Sequence, residues 1–186
     1  TTMRSLETNL NNAENLHLRA RQENPDLATA SLVWIGYNAP SGSPLHLGRQ
    51  TVTARFAEAG GNRLAHDVAG LAGSRTDNPE IHLFGHSYGS STTAYAGTGG
   101  RLGPYVSSVT LLGSPGAGPL THASQFGSDG HNVKVYVASN SHDPVTWVGG
   151  TGDGTFNRIT GKLGLFGNHL GLGMDPAQDG CRTSPA

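Results

Sequence analysis

The sequence predicts an α/β protein, a parallel doubly wound sheet with helices on both faces. Two observations carry that prediction. Short apolar runs of strand length fall at residues 31–35, 80–84, 106–112 and 133–138. Helical or small-residue stretches separate them, and connections of that length are what parallel crossovers require and hairpins do not. Charged residues make up 13% of the chain, about half the usual ~25%, and the 28 glycines imply many backbone turns.

Along the chain, Leu6, Leu10, Ala13, Leu16 and Ala20 recur at spacings of three and four. They predict a helix over 4–22 that buries one face and ends at Asn24-Pro25. Ser31 to Ile35, closed by Gly36, reads as a strand buried on both faces. Residues 50–59 have helical character, Gly60-Gly61 is expected to break it, and Leu64, Val68 and Leu71 set a second helix ending near Gly73. Glu80 to Phe84 is the next strand, and the small residues Ser90 to Ala96 suit a helix packed closely on its sheet. Val106 to Leu112, closed by Gly113-Ser114-Pro115-Gly116, and Val133 to Ala138 complete the strands. The 186 residues make one domain, with 149–186 a Gly-rich tail or a lid.

Composition narrows the classes of function. A net charge of -1 gives no electrostatic reason to bind nucleic acid. No apolar run reaches the ~18 residues of a transmembrane segment, and the first residues do not read as a signal peptide. The single cysteine, Cys181, excludes an internal disulfide and a cysteine metal cluster. His82 and His86 have an HxxxH spacing but flank a strand end rather than a helical face, so no metal and no other cofactor is expected. Compartment stays open between secreted or cell-envelope and cytoplasmic, and so does oligomeric state.

Gly85-His86-Ser87-Tyr88-Gly89 is the segment that carries chemistry. Glycines flanking a serine let the chain turn sharply from strand to helix and expose the hydroxyl, and here an apolar strand precedes the motif and a small-residue helix follows it. Ser87 is therefore the candidate nucleophile, with His86 expected to pack beside the elbow. A serine needs a histidine to take its proton and a carboxylate to orient that histidine, in the order Ser, acid, His. Asp143 follows the last apolar strand directly, at the sheet edge where ligands bind, and is the candidate acid. His169, 26 residues further on, is the histidine that follows it, whereas His142 adjoins Asp143 too closely to pair with it. The Tyr88 amide is one oxyanion donor by elbow geometry, and the Gly36-Tyr37 loop is the candidate for the second.

With Trp34-Ile35-Gly36-Tyr37-Asn38-Ala39-Pro40, Gly85 to Ser90, Gly113 to Gly116 and Asp143-Pro144-Val145, the chain resembles an actinobacterial alpha/beta-hydrolase family long treated as a domain of unknown function. The resemblance spans roughly residues 5–175. It implies an alpha/beta-hydrolase fold and a serine hydrolase with Ser87 as nucleophile and Asp143 as acid, and fixes no substrate; the class of function expected is a serine esterase or lipase-like hydrolase acting on a small-molecule ester or lipid. This chain departs from the family at Asn38, where aspartate is usual. It also lacks the upstream strand with its Val-Pro-Gly-rich turn and the downstream Gly-His-Ser-like segment. The resemblance thus implies a fragment lacking terminal elements, with the base beyond Ala186, while the residues themselves offer His169. The other class of function is a catalytically silent binding or scaffold module. Acyl transfer to an alcohol would use the same residues as hydrolysis.

Overall fold

A computed structural model describes residues 3–37, 50–114 and 116–138. They fall into two compact units, Thr1–Asn38 and Ala39–Ala186. The first contains α1 (Met3–Glu23), which stops where Asn24 and Pro25 follow, its last turn closed by Asn24 N–H donating to Ala20 O at 3.0 Å. The expected buried face is only half covered, since Leu10 is 52% and Leu16 39% exposed. The expected strand at Ser31–Ile35 is a correction: no ladder pairs it among the described residues, and Leu32 and Ile35 are exposed. An apolar run has strand length whether or not a neighbour supplies hydrogen bonds, so the run alone did not decide the element. Beyond it, Tyr37 stacks on Trp34 with ring centroids 5.9 Å apart.

The second unit runs α2 (Gln50–Gly73), β1 (Ile81–His86), α3 (Tyr88–Gly97), β2 (Val106–Leu112) and β3 (Lys134–Ala138). The described strands form one parallel sheet in the order β1-β2-β3, with Ile81 opposite Val106 and Val109 opposite Val135. Short 3-10 turns at Thr98–Gly100 and Ala123–Phe126 lie in the connections. Val109, Leu111 and Val135 from the sheet, Ala94 and Ala96 from α3, and Leu64 and Val68 from α2 are buried, with Leu102 and Phe126 filling the core beside them.

The second correction concerns α2, which runs unbroken through Gly60-Gly61. Two glycines cost a helix about 2 kcal/mol in propensity relative to alanine, and close packing on α3 offsets that cost. A Cβ on Gly61 would stand 2.6 Å from Tyr95 Cβ and 2.7 Å from Ala96 N, so glycine is what lets the two helices approach. α3 likewise presents mostly serine, threonine, alanine and glycine, which set it close to the sheet. Among the described residues no helix is long and apolar enough to cross a membrane.

Candidate active site

Ser87 occupies the turn between β1 and α3 with φ 53° and ψ −127°. That region is forbidden to ordinary side chains by sterics, and such residues cost about 1–3 kcal/mol and persist only where their surroundings over-determine them. Here they do. Ser87 N–H donates to Leu112 O at 2.9 Å, continuing the β1–β2 ladder one residue past the strand, and Ser90 N–H donates to Ser87 O at 2.9 Å. Gly85 is required for the same turn, because a Cβ there would lie 2.7 Å from Ser90 Cα and 3.0 Å from Gly89 O. β1 therefore extends two residues past the expected Phe84, taking in Gly85 and His86.

The serine thus stands at the carboxyl end of a parallel sheet, the edge at which open α/β sheets bind ligands. Tyr88 opens α3, so its amide lies at the helix end that carries partial positive charge. His86 is exposed, because alternation along β1 puts it on the face opposite buried Gly85. His82 shares that strand face, with Nδ1 2.8 Å from Ser108 Oγ and Nε2 3.6 Å from Glu80. Asp143, His142 and His169 lie outside the described residues, and Tyr37 belongs to the first unit. No three His, Cys, Asp or Glu side chains converge to hold a metal among the described residues.

Behind the turn at Ser87 lies a group of hydroxyls that motif reading did not single out. Ser90, Ser91 and Ser114 are at most 1% exposed. Ser90 Oγ lies 2.5 Å from Ser87 O and 2.7 Å from Ser114 Oγ, while Ser91 Oγ donates to Gly116 O at 2.9 Å. Their signal in the sequence was the serine in each of the segments 85–90 and 113–116, but nothing local shows that the two meet. At the far end of α3, about 15 Å away by helical rise, a shallow cleft of about 490 Å³ is lined by Glu58, Asn62, Tyr95, Thr98, Arg101 and Pro119. Burial, reinforced by Glu58, pushes the Tyr95 phenol above its ordinary value there.

A strand leading into a strained serine at the head of a helix, at the carboxyl edge of a parallel sheet, fits the alpha/beta-hydrolase class. The chain belongs to that family: the alpha/beta hydrolase family model matches residues 1–151. An uncharacterized protein of Mycobacterium tuberculosis is 35% identical over 178 residues, which is 94% of this chain and 26% of that protein. An uncharacterized protein of Mycobacterium bovis is 37% identical over 137 residues, 73% of this chain and 48% of its own length. The chain therefore spans a quarter to a half of these curated relatives. No solved structure matches it significantly.

Proposed function

We propose that the chain is a serine hydrolase that cleaves carboxylic esters, lipids among them, through an acyl-enzyme on Ser87. The observation that carries this reading is the strained backbone of Ser87 at φ 53° and ψ −127°, the costly conformation that turns β1 into α3 at the carboxyl edge of the sheet. In the first step Ser87 Oγ attacks the ester carbonyl while its proton passes to a histidine, His169 or one further along the protein. Asp143 orients that histidine and stabilises its charged form. The Tyr88 amide holds the oxyanion. Collapse of the tetrahedral intermediate expels the alcohol, which takes the proton from the histidine. Water, activated by the same base, then releases the acid and restores Ser87.

The test is intact-mass measurement after reaction with a fluorophosphonate, which reports an activated hydroxyl irrespective of substrate. It is applied to this chain, to Ser87→Ala and to the chain extended by its native flanks. Labelling lost in Ser87→Ala supports the reading and makes His169 the base. Labelling of the extended protein alone places the base outside these residues. No labelling of either, or labelling that survives Ser87→Ala, refutes the hydrolase reading in favour of a silent binding module.

A further inference from the structure

We infer that Ser90 and Ser114 are positioning residues, joined in a relay of buried hydroxyls that holds Ser87 in its strained conformation and links segment 85–90 to segment 113–116 as one device. The inference rests on the reading of Ser87 as nucleophile. An elbow residue has two soft torsions, φ directing its N–H and ψ its C=O. Both groups of Ser87 are tied: the N–H to Leu112 O at the end of β2, the C=O to the N–H and hydroxyl of Ser90.

Two proton arrangements satisfy the distances in this cluster, and the shorter contact of Ser90 Oγ, 2.5 Å to Ser87 O against 2.7 Å to Ser114 Oγ, favours the one that runs toward the nucleophile. A carbonyl only accepts and each hydroxyl has one proton, so there the Ser90 proton goes to Ser87 O. In that arrangement Ser90 Oγ accepts from Ser114 Oγ at 2.7 Å, in place of the alternative in which Ser90 donates to Ser114 and Ser114 donates to Gly116 O at 3.1 Å. Ser114 Oγ in turn accepts from Gly116 N–H at 3.1 Å, and Gly116 O is taken by the Ser91 hydroxyl. Each buried hydroxyl of Ser90, Ser91 and Ser114 has a partner, and the chain of bonds runs from the turn after β2 to the carbonyl of the nucleophile. Hydrogen bonds in such a chain polarise one another. Alanine would fit either position sterically but would break the chain. The residue numbers differ by 24, so tertiary packing alone brings the two hydroxyls together. Without the hydroxyl, Ser87 O keeps only the Ser90 N–H at 2.9 Å, so ψ of Ser87 is held less tightly, and a nucleophile displaced by about 1 Å loses on the order of a hundredfold in rate.

The experiment measures two quantities in the protein with its native flanks: the second-order rate of fluorophosphonate labelling per folded molecule, and amide hydrogen exchange across residues 84–92. The variants are Ser90→Ala, Ser114→Ala, their combination, Ser114→Thr and, as a control on β2, Ser107→Ala. Each alanine variant is expected to slow labelling at least tenfold and to raise exchange at Ser87 and Tyr88. The double variant should be no worse than the worse single one, because either change breaks the same chain. Ser114→Thr, which keeps the hydroxyl, should restore most of the rate, and Ser107→Ala should change neither quantity. Labelling and exchange within twofold of the parent in Ser114→Ala would overturn the inference, as would losses that multiply in the double variant. A parent protein that takes no label refutes the hydrolase reading instead, and exchange across 84–92 then decides the relay by itself.

Discussion

Two glycines of one helix should respond to the same substitution with opposite sign. Gly61 and Gly70 both lie inside α2, where alanine is preferred to glycine by about 0.8–1.0 kcal/mol. Nothing stands within 4 Å of a Cβ built on Gly70, so Gly70→Ala should recover most of that preference. A Cβ on Gly61 would meet Tyr95 Cβ at 2.6 Å, Ala96 N at 2.7 Å and Tyr95 C at 2.8 Å. Comfortable carbon contacts need about 3.5–4.0 Å, and two of these three atoms are backbone that cannot rotate away, so α2 and α3 would have to separate by about 1 Å. Overpacking of this kind costs about 1–3 kcal/mol, which leaves Gly61→Ala destabilised by up to about 2 kcal/mol after the propensity gain. The variants should therefore differ by about 1–3 kcal/mol, at about 2–4 °C in Tm per kcal/mol for a chain of this size. Thermal and urea unfolding followed by far-UV circular dichroism measure the difference. If Gly61→Ala raised Tm as much as Gly70→Ala, the close α2–α3 contact, and with it the account of the Gly60-Gly61 pair, would be refuted.

The remaining predictions concern packing and charge. Phe126 is fully buried with its ring against Gly97, so Phe126→Ala should cost about 3–5 kcal/mol in urea unfolding. Arg101 donates to Tyr95 O, to Thr98 O at 3.0 Å and to Asn62 Oδ1 at 2.6 Å, gathering the end of α3 against α2. Arg101→Ala should lose about 1–2 kcal/mol, and Arg101→Lys should restore only part of it, because lysine keeps the charge but not the fork. A hydrogen bond and charge from Arg75 hold the Asp77 carboxyl below its ordinary value of 3.8. A depressed carboxylate stabilises the fold above that ordinary value and loses its contribution as pH falls through the folded one. Asp77→Asn should therefore lower Tm slightly at neutral pH and low salt. The difference should vanish in acid and at about 0.5 M salt, since both side chains are exposed.

Sequence pattern alone determined the elements whose signal is local. The three- and four-residue spacing of α1, the β-branched runs of β2 and β3 and the strand-to-helix turn at Ser87 each reflect a constraint acting within a few residues. Where the reading went astray, the deciding partner was distant in the chain. Gly60-Gly61 has the local look of a break, yet α3 makes glycine the residue that fits inside an unbroken α2. Ser31–Ile35 has the local look of a strand, yet a strand exists only where a neighbour supplies its hydrogen bonds. The strain at Ser87 and the meeting of Ser90 with Ser114 were likewise settled by tertiary structure. Periodicity records which face of an element is apolar, whereas the geometry of a buried hydroxyl pair depends on how two turns pack at the end of one sheet.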